Sequence, residues 1–257
     1  MTAIPNLAQP LPVHSHSYRR SSARLRLIEP APRAVVFAAR ELSPAHEGLR
    51  RLVNILAASL GLVFAAPIML IVAIAVKLTS PGPIIYSQVR VGQDRRRRFG
   101  SAGDPRRAND LGGRPFRIYK FRTMRADAEK ASGAVWASQN DPRLSPIGGF
   151  LRKYRFDELP QLVNVLKGDM NIVGPRPERP SIFQQLSRSI PQYEARQLVK
   201  PGITGLAQVS QQYDQCLDDV RNKLRYDLEY LRSQSLWADV QIMAKTVPVV
   251  LLRRGGW

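Results

Sequence analysis

The most apolar part of the chain is an uncharged run over residues 52–76. Its 25 residues are more than the about 20 that a helix needs to cross the hydrocarbon core of a bilayer. Pro67 lies inside the run, where it removes a backbone hydrogen bond and favours a bend. The pattern therefore predicts a membrane-inserted, kinked helix over residues 49–80.

Basic residues flank this run on both sides, which bears on how it enters a membrane. Arg50 and Arg51 precede the run, and Lys77 follows it. Because positive charge resists translocation, we expect both flanks on the cytoplasmic side, so that the helix dips into one leaflet and returns. A straight span is the alternative that these residues leave open.

Two short strand-like segments follow the apolar run and predict a small β-hairpin. They cover residues 84–86 and 116–121, and an arginine-rich stretch separates them. Before the apolar run, residues 1–48 show neither a helical nor a strand period and are dotted with proline and arginine. We expect a disordered basic tail there, without a secretory signal peptide.

The rest of the chain is dominated by helical spacing. Apolar positions recur with a helical period from Asp157 to Gly168, and again over 181–198 and 217–233. The stretch from Leu236 is apolar enough for either a core helix or an interfacial helix lying on a bilayer. Residues 81–257 are thus predicted to form a compact, mainly α domain that includes the hairpin.

The net charge of the chain indicates which classes of molecule it binds. Lysine and arginine total 39 against 20 acidic residues, a formal net charge of +19. Such a surface favours nucleic acid, acidic lipid headgroups or phosphorylated small molecules. Residues 90–125 hold 12 basic and three acidic side chains, and include an arginine-rich insert at 93–114. This insert is typical of either a solvated loop or a segment attracted to anionic lipid.

Two residue types are scarce enough to exclude whole classes of chemistry. Cys216 is the single cysteine, so the chain has neither an intrachain disulfide nor a multi-cysteine metal site. The three histidines, His14, His16 and His46, all lie in the first fifth of the chain. A catalytic centre in the remainder must therefore use carboxylates, hydroxyls, lysine or arginine.

Asp157 and Glu158 are adjacent acids at the start of a predicted amphipathic helix. Neighbouring helical residues point about 100° apart, so the two carboxylates lie close together with different aims. One carboxylate can act as a covalent nucleophile toward phosphorus, and its neighbour can help to hold a divalent cation. Taken alone, an aspartate at a helix start is more often an N-cap.

The basic residues around this pair change that balance. Strand alternation would aim Lys120 and Arg122 to one face, and two prolines restrain Arg176. Lysine and arginine bind phosphate by charge, and arginine can do so with two hydrogen bonds. Together with a membrane segment, the set favours transfer of a phosphorylated group at a membrane surface. The candidate phosphate contacts are Lys120, Arg122, Arg152, Arg176 and Lys200.

Four motifs, in this order, resemble those of the bacterial sugar transferases. They are KFRTM at 120–124, FDELPQL at 156–162 continuing into NVLKGDM at 164–170, VGPRPE at 173–178, and KPGITG at 200–205. The resemblance is closest to the monotopic phosphoglycosyl transferases, also called polyprenyl-phosphate sugar-1-phosphate transferases. It runs from about Leu49 to the C-terminus.

This resemblance implies a specific reaction. Such enzymes transfer a sugar 1-phosphate from a UDP-sugar to undecaprenyl phosphate, release UMP, and begin the assembly of a polysaccharide or glycan. Asp157 would be the nucleophile that forms a covalent phosphosugar intermediate, and Glu158 would assist. Both carboxylates would serve a Mg²⁺ site, and the five cations named above would contact phosphates.

The resemblance also implies an architecture and a location. A compact cytosolic domain, mainly α with a small β-hairpin, would stand on a re-entrant (monotopic) N-terminal membrane helix. Small members carry a Ser-Pro pair at the bend, whereas here Ala66 precedes Pro67. We expect the protein at the bacterial inner membrane, in contact with membrane lipid and with its catalytic domain on the cytoplasmic face. A homo-oligomer is possible and is left open.

A second function from another class is a non-enzymatic, basic, membrane-anchored module that binds nucleic acid or proteins. Its binding would follow the arginine runs and weaken steeply with salt. Aromatic side chains, which stack on bases, make up 7% of the chain. This low share disfavours nucleic acid, and we expect none as a partner.

Overall fold

The computed structural model of the chain describes residues 39–40, 42–94, 113–125, 128, 141–211 and 216–252. These residues belong to one compact unit, Phe37–Trp257. Most of the predicted tail and of the arginine-rich insert at 93–114 lie outside the described residues.

A 36-residue helix, α1 (Pro44–Thr79), carries the apolar run. Ser43 caps it by accepting a hydrogen bond from the backbone of His46, and Pro44 occupies the first turn, where a missing N–H costs nothing. The helix therefore begins inside the range 1–48 that the sequence pattern assigned to the tail, because this start signal lies outside the apolar run. The helix assignment continues through Pro67.

Much of α1 is left uncovered by the rest of the described chain. Its mean hydropathy reaches 2.6 over an 18-residue window, and 17% of that window is buried. Phe64 and Ile71 are 76% and 67% exposed. The helix is long and apolar enough to cross a membrane, whereas the core helix of a soluble protein would be mostly buried.

The predicted hairpin is confirmed. Strands β1 (Ile85–Val91) and β2 (Pro115–Phe121) pair antiparallel, from Ile85 opposite Phe121 to Val91 opposite Pro115. Strand β1 extends beyond the segment 84–86 that sequence indicated, because residues 87–91 include two consecutive polar residues that interrupt the apolar signal.

Strand β2 connects the hairpin to α1 on both sides of Pro67. Phe116 and Ile118 share an apolar cluster with Ala58, in the first half of α1. Phe121 shares another with Val72 and Val76, in the second half. The hairpin therefore lies along one face of the long helix.

The remaining elements confirm a mainly helical domain. The prediction over 217–233 matches one helix, whereas 181–198 is divided in two, because Pro191 cannot continue the first helix. A parallel pair of three-residue strands was missed because three residues are too few for a period. In chain order the further elements are α2 (Gly148–Lys153), a 3-10 turn (Phe156–Glu158), α3 (Gln161–Lys167), β3 (Asn171–Val173), α4 (Pro180–Ser189), a 3-10 turn (Tyr193–Leu198), β4 (Gly202–Thr204), α5 (Leu206–Ser210), α6 (Leu217–Ser233) and α7 (Leu236–Leu251).

Helix α7, for which sequence left core and interface open, has features of both. Ile242 is buried in an apolar cluster with Tyr230 and Leu231 of α6. Trp237 and Leu251 are 69% and 72% exposed. One face of α7 thus belongs to the core, and other apolar side chains are accessible.

Candidate active site

The two adjacent acids lie in the 3-10 turn between α2 and α3. Arg155 adopts a left-handed conformation with φ 59°, and this reverses the chain before the turn. Pro160 is the N-cap of α3 and no side chain caps that helix, so Asp157 is not the N-cap that its position also allowed. Asp157 and Glu158 are only 5% and 7% exposed, an unusual burial for two neighbouring carboxylates.

Cations from three different segments surround Glu158. Lys120 Nζ lies 2.8 Å from Oε1, and Arg176 Nη2 lies 2.5 Å from the same oxygen. Arg155 Nη1 lies 3.8 Å from Oε2. Burial alone would raise the pKa of Glu158, but these three positive charges outweigh it and hold the pKa well below its usual range. Glu158 is therefore ionised at neutral pH.

Asp157 has a different electrostatic environment. Lys120 Nζ lies 3.7 Å from its Oδ2, a longer contact than the one to Glu158. Burial raises the pKa of Asp157 above its ordinary value, Lys120 opposes that increase, and the negative Glu158 adds to it. The two carboxylates thus have pKa values displaced in opposite directions. Such a separation is typical of acids with different chemical roles.

Arg152 lies near enough to Asp157 for its charge to act on that carboxylate. Its Nε donates to Thr123 Oγ1 at 3.0 Å, and its charge favours the ionised form of Asp157. Three of the five predicted phosphate contacts, Lys120, Arg152 and Arg176, are therefore brought close to the acidic pair.

Arg122 is not brought to that pair, although strand alternation placed it on one face with Lys120. Its Nη1 donates to the carbonyl of Pro81 at 2.7 Å and its Nη2 to that of Ser80 at 2.6 Å. Strand β2 ends at Phe121, so the alternation stops before Arg122. Arg122 therefore binds the backbone of Ser80 and Pro81, directly after α1.

Lys200 also lies elsewhere, at the C-terminal end of α3. A Cβ built on Gly168 would be 3.9 Å from Lys200 Nζ and 3.4 Å from Arg51 Nη2. Arg51 donates to the last carbonyls of α3, on Val165 and Leu166, at 2.5 and 2.7 Å. Arg51 and Lys200 thus lie near the C-terminal end of α3, where positive charge is favourable.

Three residues outside the predicted contacts lie at the acidic pair or next to it in the chain or in the fold. Arg155 precedes Glu158 by three positions, and that spacing was the available signal. Gln161 lies one helical turn beyond Asp157, and its Nε2 is buried without a hydrogen-bond partner among the described residues. Thr123 orients Arg152, a tertiary contact that no sequence spacing indicates.

The donor set suits a magnesium ion. Two buried carboxylates are hard oxygen ligands, and Mg²⁺ commonly uses one or two carboxylates together with water and substrate phosphates. In the described part of the chain no three His, Cys, Asp or Glu side chains group together as a metal cage. Asp157 and Glu158 are the carboxylates of this site that could hold such an ion.

Comparison with known proteins identifies a family and several similar enzymes. The profile of one family, described as bacterial sugar transferase, matches residues 45–253. The chain is 42% identical over 209 residues to a UDP-N-acetylgalactosamine-undecaprenyl-phosphate N-acetylgalactosaminephosphotransferase of Aeromonas hydrophila, covering 81% of this chain and 45% of that protein.

Two further relatives carry another sugar in their names. A UDP-glucose:undecaprenyl-phosphate glucose-1-phosphate transferase of Escherichia coli is 39% identical over 208 residues, covering 80% of this chain and 41% of that protein. An enzyme of the same name from Caulobacter vibrioides is 38% identical over 204 residues, covering 79% of this chain and 69% of that protein. The chain thus spans less than half of the first two relatives and about two thirds of the third.

Proposed function

The chain belongs to the bacterial sugar transferase family, and on that premise we propose that it transfers a sugar 1-phosphate from a UDP-sugar to undecaprenyl phosphate. The observation that carries the proposal is the buried pair Asp157–Glu158, held among Lys120, Arg152 and Arg176. Two adjacent buried carboxylates with pKa values displaced in opposite directions are typical of a reaction centre, so this pair disfavours the non-enzymatic alternative.

The first step is attack by Asp157 on the sugar-linked phosphorus of the UDP-sugar. A carboxylate oxygen forms a bond to that phosphorus as the bond to the bridging oxygen breaks, and UMP leaves with the electron pair. The desolvated carboxylate suits this role, because burial raises the energy of its charge and the nearby Lys120 keeps the ionised form accessible.

The second step returns the enzyme to its starting state. A phosphate oxygen of undecaprenyl phosphate attacks the phosphorus of the aspartyl intermediate, and the carboxylate leaves. In each step negative charge moves to the phosphoryl and leaving-group oxygens, and Lys120 and Arg176 lie where they can balance it. Arg152 adds a third positive charge on the side of Asp157.

Glu158 stays ionised and is proposed to hold Mg²⁺ together with Asp157. The ion would supply charge neutralisation on the diphosphate oxygens. On the protein side, Glu158 also orients Arg176 and Lys120, which both contact its Oε1.

The packing of α1 supports a re-entrant insertion. Arg50 near its start contacts Asp239 of α7, and Val76 near its end packs with Phe121 and Leu151. A helix that spanned the bilayer would place these two ends on opposite sides of the membrane, yet both are held by one domain. Pro67 lies between them, at the place where a re-entrant helix would bend.

The charge distribution supports a location at the bacterial inner membrane, with the domain on the cytoplasmic face. UDP-sugars would be available there, and the lipid product would begin polysaccharide or glycan assembly. Lys77, exposed at the end of α1, would lie against anionic headgroups, whereas Arg50 and Arg51 bind groups inside the domain.

The decisive experiment is to trap the intermediate. Purified protein in detergent, Mg²⁺ and a panel of UDP-sugars are mixed without lipid acceptor, and the intact mass is measured. We expect a sugar-phosphate adduct on the wild type, none on Asp157→Asn, and stoichiometric release of UMP only where the adduct forms.

The matched control is Asp218→Asn, which alters an exposed carboxylate paired with Arg221 on α6. This variant should form the adduct at the wild-type rate. Full turnover by Asp157→Asn, or a single direct displacement without any adduct, would contradict the proposed nucleophile.

A further inference from the structure

Arg176 lies in a segment that has no regular secondary structure to hold it. The backbone from Gly174 to Glu178 leads from β3 toward α4. Pro175 and Pro177 have no N–H group, so this stretch cannot form the repetitive hydrogen bonds of a helix or strand. The direction of the Arg176 side chain must therefore be set by contacts from elsewhere in the fold.

Those contacts reach each carbonyl of the segment from Pro175 onward. Gly202 N donates to Pro175 O at 3.0 Å, which joins the segment to β4. Arg90 Nη1 donates to Pro177 O at 3.0 Å, and Val91 N donates to Glu178 O at 2.9 Å. The carbonyl of Arg176 itself accepts from Arg196 Nη2 at 3.0 Å.

Arg196 contacts the segment at two points. While Nη2 holds the Arg176 carbonyl, Nη1 donates to the Glu178 carboxylate at 3.2 Å. Nη1 also donates to Tyr193 Oη at 2.6 Å, and Nη2 lies 2.7 Å from Asp227 Oδ2. The planar guanidinium thus bridges across Pro177, and it is only 1% exposed.

The other end of Arg176 is at the candidate active site. Its guanidinium contacts both oxygens of Glu158, at 2.5 Å to Oε1 and 3.4 Å to Oε2. Arg196 does not touch Glu158 in the described contacts, so its influence on the acidic pair passes through the backbone of Arg176.

We propose that Arg196 is a positioning residue, which holds the Arg176 backbone so that the Arg176 guanidinium meets Glu158 and the substrate phosphates. The inference rests on the proposed transfer reaction and adds a residue to it. A displacement of about 1 Å at a charge-bearing group can lower a rate about 100-fold, so a support of this kind has a measurable effect.

A guanidinium is suited to this position for a geometric reason. Its two terminal nitrogens lie a fixed distance apart in one plane, and here they bind two points of one segment. A lysine would keep the positive charge beside Glu178 and Asp227 but has a single nitrogen. Arg196→Lys therefore separates the role of geometry from the role of charge.

The competing explanation is that Arg196 only stabilises the fold as a buried ion-pair partner. A double-mutant cycle distinguishes the two, because residues that act through one another are not additive. The variants are Arg196→Lys, Arg176→Lys and the double variant, and kcat/KM is measured for UMP release from the best UDP-sugar. We expect each single change to lower kcat/KM by about 10- to 100-fold.

The double variant is expected to match Arg176→Lys, since Arg196 has nothing left to position. Multiplied losses in the double variant would overturn the proposal. If Arg196→Lys does not fold, Tyr193→Phe replaces it, because this change removes one acceptor from Arg196 and keeps every charge. Its smaller loss should likewise vanish in the Arg176→Lys background. Arg221→Lys, in an exposed ion pair, is the control and should leave kcat/KM unchanged.

Amide hydrogen exchange gives a readout that needs no turnover. In Arg196→Lys, or in Tyr193→Phe, exchange should become faster at Gly174, Gly202 and Val91, whose amides donate the hydrogen bonds made by and to this segment, and the Arg221→Lys control should match the wild type. Unchanged exchange across this segment would overturn the proposal. A wild type that releases UMP from no UDP-sugar would instead contradict the proposed reaction, while exchange would still test whether Arg196 holds Arg176.

Discussion

Arg50, near the start of α1, donates through Nε to Oδ2 of Asp239 on α7 at 2.7 Å. Both side chains are almost fully buried, with 9% and 8% of their surfaces exposed. Tyr230 of α6 also accepts from Arg50 and donates to Asp239. A buried charge pair therefore joins the apolar helix to the C-terminal part of the domain.

The first prediction concerns this pair. Arg50→Met should lower the free energy of unfolding by about 3–5 kcal/mol, because it leaves the Asp239 carboxylate buried without its cation. The double variant Arg50→Met with Asp239→Leu should recover much of that loss. Denaturant unfolding of the protein in detergent measures both, and equal destabilisation of the single and double variants would contradict the prediction.

The second prediction concerns Lys120, which contacts both acids. Lys120→Met should lower kcat/KM for UMP release by about 100- to 1000-fold, the usual effect of removing one charge-stabilising donor from a reaction centre. Lys167→Met is a matched control, because Lys167 is exposed and contacts the hydroxyl of Tyr119. A loss of the same size in both variants would show that the effect is not specific to the acidic pair.

Local patterns predicted the elements that frame the site. The alternation in β2 and the helical period ending at Gly168 depend on neighbouring residues alone, and both are confirmed. Gly168 has φ 85°, the left-handed conformation that makes glycine a helix terminator. Lys120 is the penultimate residue of this regular strand and contacts both acids.

Long-range contacts could not be predicted in the same way. Arg122 is two positions from Lys120 in sequence, yet it contacts the end of α1, because the strand ends between them. Arg196 reaches the Arg176 carbonyl over 20 positions, and no periodicity relates the two. Motif spacing therefore finds a site, but tertiary packing decides which cations reach it.

The third prediction tests the relocation of Arg122. Arg122→Lys should lower the free energy of unfolding by about 1–3 kcal/mol, because one ammonium group cannot replace two charge-assisted hydrogen bonds to Ser80 and Pro81. The kcat/KM for UMP release should stay within about twofold of wild type, if the contacts of Arg122 with Ser80 and Pro81 are its main role. A loss of activity without a loss of stability would instead indicate that Arg122 contacts a substrate phosphate.

The last prediction is a dependence of stability on pH that comes from Glu178. Burial alone would raise the pKa of this carboxyl, but Lys223, Arg196 and Arg90 outweigh burial and hold the pKa far below its ordinary value of 4.5. The folded protein therefore favours the ionised form more than the unfolded chain does. The resulting stabilisation is complete above about pH 4.5 and is lost progressively as the pH falls below that value.

Glu178→Gln isolates this contribution from those of the other acids. The variant should be less stable than the wild type at pH 7, and the difference should shrink as the pH is lowered from about 5 to about 3, because the wild type then loses an interaction that the variant lacks. Thermal unfolding of both proteins across this range gives the difference directly. A gap that stayed constant, or that widened toward acid, would show that Glu178 is not held ionised by its three basic neighbours.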